Sequence, residues 1–258
     1  MIPRFVSIIL PAVAALLANA VNANATLSFS EPFGYPAGSI LNQNGGIGFS
    51  TAWTGSGNVT SPGLLYAGVL STGNGFTTAG GDQGAFRDLT TPVTVDSGVF
   101  YVSFLTSLVG STPSYAGLSF FVGSTEELFL GKPSNTGNYG FDASGAGASN
   151  STVAATTDVT FLVYRLTFTP DGDTIDLFVN PPADGILPAT PSATLAVADT
   201  AFPNDFNRIR IQSGNAQMNF DEIRAGTSYS DVAAVPEPST FALLGVGAVL
   251  LGRRRRKA

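Results

Sequence analysis

Between residues 26 and 234, apolar positions recur every second residue in short runs, and clusters of Gly, Pro, Ser, Asn and Asp separate the runs. That period belongs to β-strands, whose successive side chains point to opposite faces. The run 99–108 sets Phe100, Val102, Phe104, Thr106 and Leu108 on one face and Tyr101, Ser103, Leu105 and Ser107 on the other, which predicts a half-buried strand. Further strands are predicted at 26–30, 64–70, 117–122, 127–131, 159–169, 174–180, 193–197, 207–212 and 217–225. Each is β-branched or aromatic in character and is bounded by turn residues. Outside the two ends of the chain, no stretch holds a helical period for three turns.

Closely spaced strands without intervening helices predict an all-β chain, folded as a single antiparallel two-sheet β-sandwich. Residues 161–169 and 174–181 flank Pro170-Asp171-Gly172-Asp173, where Pro suits the second position of a turn and Gly supplies positive φ, so they predict a tight hairpin. The first and last strands are expected to pair. In the last one the alternation of Met218 and Phe220 slips by one before Ile223, which predicts a bulge that turns Ile223 inward.

The two ends read differently. Arg4, the apolar run 5–17 and the small-residue sites Ala18-Asn19-Ala20 and Ala23-Asn24-Ala25 form a secretory signal peptide, assigned to residues 1–25 with cleavage after Ala25. It implies Sec-type export machinery and a signal peptidase as partners. At the other end, residues 235–258 stack a rigid motif, Pro236, Glu237 and Pro238, an uncharged stretch 239–252, and a basic stop of Arg253, Arg254, Arg255, Arg256 and Lys257. The 14 uncharged residues predict a short hydrophobic transmembrane helix, brief for a permanent anchor because a full span takes about 20. The cations favour the cytoplasmic side, leaving the domain outside.

This tripartite tail resembles the PEP-CTERM sorting signal of envelope and exopolysaccharide-producing bacteria. The resemblance implies processing by an exosortase-type membrane protease. It also implies a path from membrane association to the cell surface or extracellular matrix. Within the domain, the hairpin ending Leu177-Phe178-Val179-Asn180-Pro181-Pro182, the segment 206–211 and the closing segment 220–232 are similar to concanavalin A/laminin-G-like jelly rolls, as is the opening 30–38. That resemblance implies a jelly-roll sandwich and no settled activity, since such domains include lectins, glucanases and adhesive modules.

Charge narrows the partners of residues 26–234. Six basic residues face 17 acidic ones, a net charge of −11, so nucleic acid and anionic polymers find no basic patch. The chain has no Cys and no His, which removes disulfides, the commonest general base and Ser-His-Asp or Cys-His catalysis. A retaining glycosidase needs two carboxyls about 5 to 5.5 Å apart. Yet none of Glu31, Glu126, Glu127 and Glu222 has another Glu two or four positions away.

No enzyme activity and no cofactor is therefore expected, apart from structural calcium at Asp171 and Asp173, which are also ordinary turn formers. The lone Trp53, beside the amide-rich segment 42–53, is the candidate carbohydrate-binding residue, and the sandwich core is its alternative place. Arg208, Arg210 and Arg224 are expected to pair with Asp205, Asp221 or Glu222. The domain is thus expected to be an exported structural protein of the surface or matrix, with carbohydrate binding, for instance to exopolysaccharide, as the alternative and glycoside hydrolysis as a less favoured one.

Overall fold

The computed structural model describes residues 27–134, 136–183, 186–198, 202 and 204–233; the expected signal peptide and the tail, including the short hydrophobic helix expected there, lie outside the described residues. Two antiparallel sheets carry the fold. The first runs in the order β14 (Ala193–Val197), β13 (Asp173–Val179), β12 (Thr160–Phe168), β7 (Gly98–Leu108), β16 (Met218–Gly226), β5 (Gly75–Thr78), β4 (Gly57–Thr60) and β2 (Gly38–Ser39). Its ninth strand, β1 (Leu27–Glu31), pairs with β16. The second sheet runs β11 (Gly147–Ala154), β10 (Asn138–Ala143), β9 (Thr125–Lys132), β8 (Ala116–Val122), β15 (Phe206–Ser213), β6 (Gly84–Val93) and β3 (Thr54–Gly55). One short helix, α1 (Tyr229–Val232), follows the last strand.

The inner faces meet in one apolar core, where Phe29 packs on Phe120 with ring centroids 6.2 Å apart and Phe141 meets Tyr164 edge-on at 6.3 Å. The Tyr164 hydroxyl donates across the sandwich to the Gly140 carbonyl at 3.0 Å, satisfying a polar group that the core would otherwise strand. With no disulfide available, burial of such rings supplies the stability, at roughly 1.5–3 kcal/mol per large apolar side chain.

The first and last strands do pair, Leu27 opposite Gly226 and Glu31 opposite Ile223. The bulge falls where the slipped alternation puts it. The register between β16 and β7 shifts between Asp221 and Arg224, Glu222 sits at φ 47°, and Ile223 is fully buried.

Strands β2 to β6, β10 and β11 lie outside the strands expected from sequence, and three differences have a clear physical reason. Strand β7 is buried on both faces, because a second apolar cluster covers the outside of the nine-stranded sheet. Residues 64–70 form no strand; they are an apolar covering loop with a Gly68 at positive φ. Strand β6 was hidden because its inward positions read Ala85, Arg87, Leu89, and a charge at the centre breaks the apolar alternation.

Candidate functional site

Trp53 lies in the core with no exposed surface, which leaves no face on which a sugar could stack. Its indole Nε1 donates to Glu31 Oε2 at 2.9 Å. The same carboxylate accepts from Tyr35 Oη at 2.7 Å, from the Phe33 amide at 2.9 Å and from Arg87, with which it forms a fully buried ion pair at 2.5 Å. Arg87 in turn reaches Asn44 Oδ1 and the Thr51 carbonyl, and lies 4.1 Å over the Phe49 ring. Burial, and then the neighbouring Glu31 charge, push the Tyr35 hydroxyl up to about 12. This hub ties β1 of one sheet to β6 of the other, and satisfied partners on every side are what make a buried charge tolerable.

One of the two turn carboxylates also has structural work. Asp173 is buried, and its Oδ1 accepts the Thr169 amide at 3.2 Å, locking the hairpin; Asp171 points to solvent. Among the described residues, no group of three or more Asp and Glu side chains is arranged to hold a metal ion. The arginine pairing expected from sequence holds for Arg224 with Glu222 at 2.6 Å. Arg208 instead pairs with Asp88, and Arg210 with Glu126.

The outer face of the seven-stranded sheet gathers the polar chemistry. Strand register aligns Phe86, Arg210, Ser119, Phe129 and Asp142 in a row across five strands. Around it opens a groove of about 410 Å³, lined by Tyr115, Glu126, Glu127, Phe129, Asp142 and Arg210 among others. Phe129 lies down on the neighbouring strand because Gly117 has no side chain: a Cβ there would stand 2.6 Å from the ring. Tyr115 meets Phe129 edge-on at 6.2 Å, so the floor is aromatic.

The walls are polar. Arg210 donates to Glu126 Oε2 at 2.8 Å and to Ser119 Oγ at 3.2 Å, and stacks 4.9 Å over Phe121; its Nε has no acceptor among the described residues. Gln212 Nε2 donates to the Tyr115 hydroxyl at 2.9 Å, and that hydroxyl donates to Asp82 at 2.7 Å. Burial first, and then that bond to Asp82, raise Tyr115 to about 12. Burial, and then the nearby Glu126 charge, push the Asp142 carboxyl above its ordinary range.

Inspection of single strands missed this site because its carboxylates come from two strands. Glu126 and Glu127 on β9 meet Asp142 on β10 through cross-strand register, not through spacing along one chain segment. The only sequence signal for it was the adjacent Glu pair followed by Phe129.

The chain's other functional element is its tail, and residues 234–257 match the family described as the PEP-CTERM protein-sorting motif. The chain carries a PEP-CTERM sorting motif. That motif indicates exosortase-dependent sorting and is consistent with export and cell-surface targeting. Pro236, Glu237, Pro238 and Arg253 to Lys257 lie within this match and outside the described residues. No curated protein matches the chain. Among solved structures, the binding domain of botulinum neurotoxin serotype D is 13% identical, with 74% of this chain and 47% of that one covered at a TM-score of 0.45. The VIP36 exoplasmic/lumenal domain, in a form bound to Ca2+ and Man3GlcNAc, is 9% identical, with 69% and 86% covered at a TM-score of 0.42. The chain spans about half the length of the toxin binding domains it matches. Among the described residues, no helix is long and apolar enough to cross a membrane.

Proposed function

We propose that this chain is exported, delivered through its PEP-CTERM tail to an exosortase, and becomes a surface- or matrix-associated protein whose seven-stranded sheet holds a saccharide without cleaving it. The observation that carries the second half is the groove. An aromatic floor of Tyr115 and Phe129 stands beside a guanidinium, an amide and three carboxylates. Apolar faces with a few convergent polar groups are what a sugar ring requires, since its C–H face stacks while its hydroxyls donate and accept. Three carboxylates against one arginine favour neutral or amino-bearing sugars and repel uronic-acid polymers.

A glycan array on the purified exported protein tests this reading. Binding is expected to neutral or amino-sugar polymers, and Phe129→Ala and Arg210→Ala should each weaken it by about tenfold or more, a loss of about 1.4 kcal/mol per decade. Retention limited to polyuronates, or equal binding by both variants, would refute the groove assignment. Release of reducing sugar from the host polysaccharide would refute the absence of cleavage.

A further inference from the structure

The face opposite the groove has a second chemistry. On the outside of the nine-stranded sheet, Val69, Leu105, Phe161, Val163, Phe178, Tyr229, Val232 and Ala233 form the second apolar cluster. Three segments converge there. Tyr66 of the covering loop packs on Phe161 at 5.5 Å, the Tyr229 hydroxyl donates to the Pro182 carbonyl at 2.5 Å, and Ser103 donates to the Val232 carbonyl at 2.8 Å. The loop is clamped by the bulged strand: Asp221 accepts the Leu64 amide, Glu222 accepts the Thr72 amide, and Arg224 donates to the Leu70 carbonyl.

Two of these segments carry the most exposed large hydrophobic side chains among the described residues, Leu65 at 75% and Ile186 at 72%, with Leu70 at 43% beside them. Residues 61–74 contain no charged side chain, in a domain whose net charge is −11. The described chain ends on this same face, at Ala233.

We infer that, until its tail is processed, the chain rests this face on the lipid surface into which the tail inserts, with Leu65, Leu70 and Ile186 dipping into the interface. The inference rests on the reading of the tail as a membrane-inserting sorting signal. Tether length supports it. Five residues, 234–238, separate the docked Ala233 from the uncharged stretch beginning at 239, and they reach at most about 18 Å when fully extended. A compact domain of this size has a radius of gyration of about 17 Å and hence a diameter of roughly 40 Å, so the tether is about half the domain's width. The face that carries Ala233 is therefore held against the bilayer. An uncharged apolar loop meets anionic headgroups without the repulsion that the rest of this acidic surface would suffer. The same placement turns the groove on the opposite sheet away from the membrane, toward whatever polymer lies outside.

The absence of native cysteine makes the test direct. Leu65→Cys and, in a second protein, Ser134→Cys at the groove would carry an environment-sensitive fluorophore in the full chain. Each would be mixed with phosphatidylcholine–phosphatidylglycerol vesicles containing a headgroup-proximal lipid quencher. The expected result is flotation with the vesicles and quenching several-fold greater at position 65 than at position 134. Flotation with equal quenching at both positions, or with none at position 65, would overturn the docking face while leaving the sorting tail intact. Failure to float would remove the tail's insertion and the docking inference together. Leu65 is exposed, so its replacement leaves the core untouched.

Discussion

Single residues decide how this sandwich tolerates charge in its interior. Glu31 and Arg87 are both buried, and each has several partners besides the other. Replacing Arg87 with Met leaves a carboxylate without its counter-charge and should cost about 3–5 kcal/mol in equilibrium denaturation, against a total of about 5–15. Adding Glu31→Gln to that variant should recover part of the loss, because no bare charge then remains. A loss below about 1 kcal/mol for Arg87→Met would show that the hub is dispensable.

Asp221 makes a separate case. Burial raises its carboxyl from 3.8 to about 7, with Glu222 adding to the rise, while the Leu64 and Glu222 amides and Arg224 oppose it. The folded form therefore binds this proton more tightly than the unfolded chain does. Between those two values, folding takes up a proton, so this group's contribution to stability grows as pH falls from about 7 toward 4, and its penalty is complete above about 7. Asp221→Asn should flatten that part of the stability-versus-pH curve relative to the parent. Parallel slopes for the two proteins would contradict it.

At the scale of elements, closure depends on β1. It pairs with the bulged half of β16, its Ser30 exchanges backbone hydrogen bonds with Ile47 on the other side, and it delivers Phe29 and Glu31 to the interior. Deleting residues 26–33 removes these together with buried Phe33 and opens the β16 edge. The truncated protein should melt roughly 10 °C or more below the parent, or fail to fold, since each kcal/mol shifts Tm by about 2–4 °C at this size. Melting within a degree or two, with the protein still monomeric, would make β1 peripheral. The bulge was legible because one misplaced apolar residue, Ile223, has only one way back to the core. Strand β6 was not legible, because Arg87 reads as a surface residue until Glu31 is placed opposite it. The covering loop misled for the converse reason. Leu64, Tyr66 and Val69 are apolar because they lie on a sheet, not because they belong to one.

For the whole molecule, the described residues hold one four-residue helix, so the far-ultraviolet spectrum of the isolated domain should be of β type, with helix below about one fifth against an average near one third. Replacing Pro236, Glu237 and Pro238 with alanines should leave export intact and change the mature carboxyl end, which intact-mass measurement in the native host would reveal; an unchanged mass would sink processing at that motif. The sequence by itself determined the strand period, the slipped alternation that makes the bulge in the last strand, the acidic balance and the address at the tail. Each of these is a property of residues near one another in the chain or of their total. Only the tertiary structure decided what the residues face. It put Trp53 against Glu31 instead of solvent, joined Glu126, Glu127 and Asp142 across two strands, and gave the nine-stranded sheet a second apolar cover at the point where the tail departs. Register and burial are long-range, and an alternating strand states which residues share a face without stating what that face will meet.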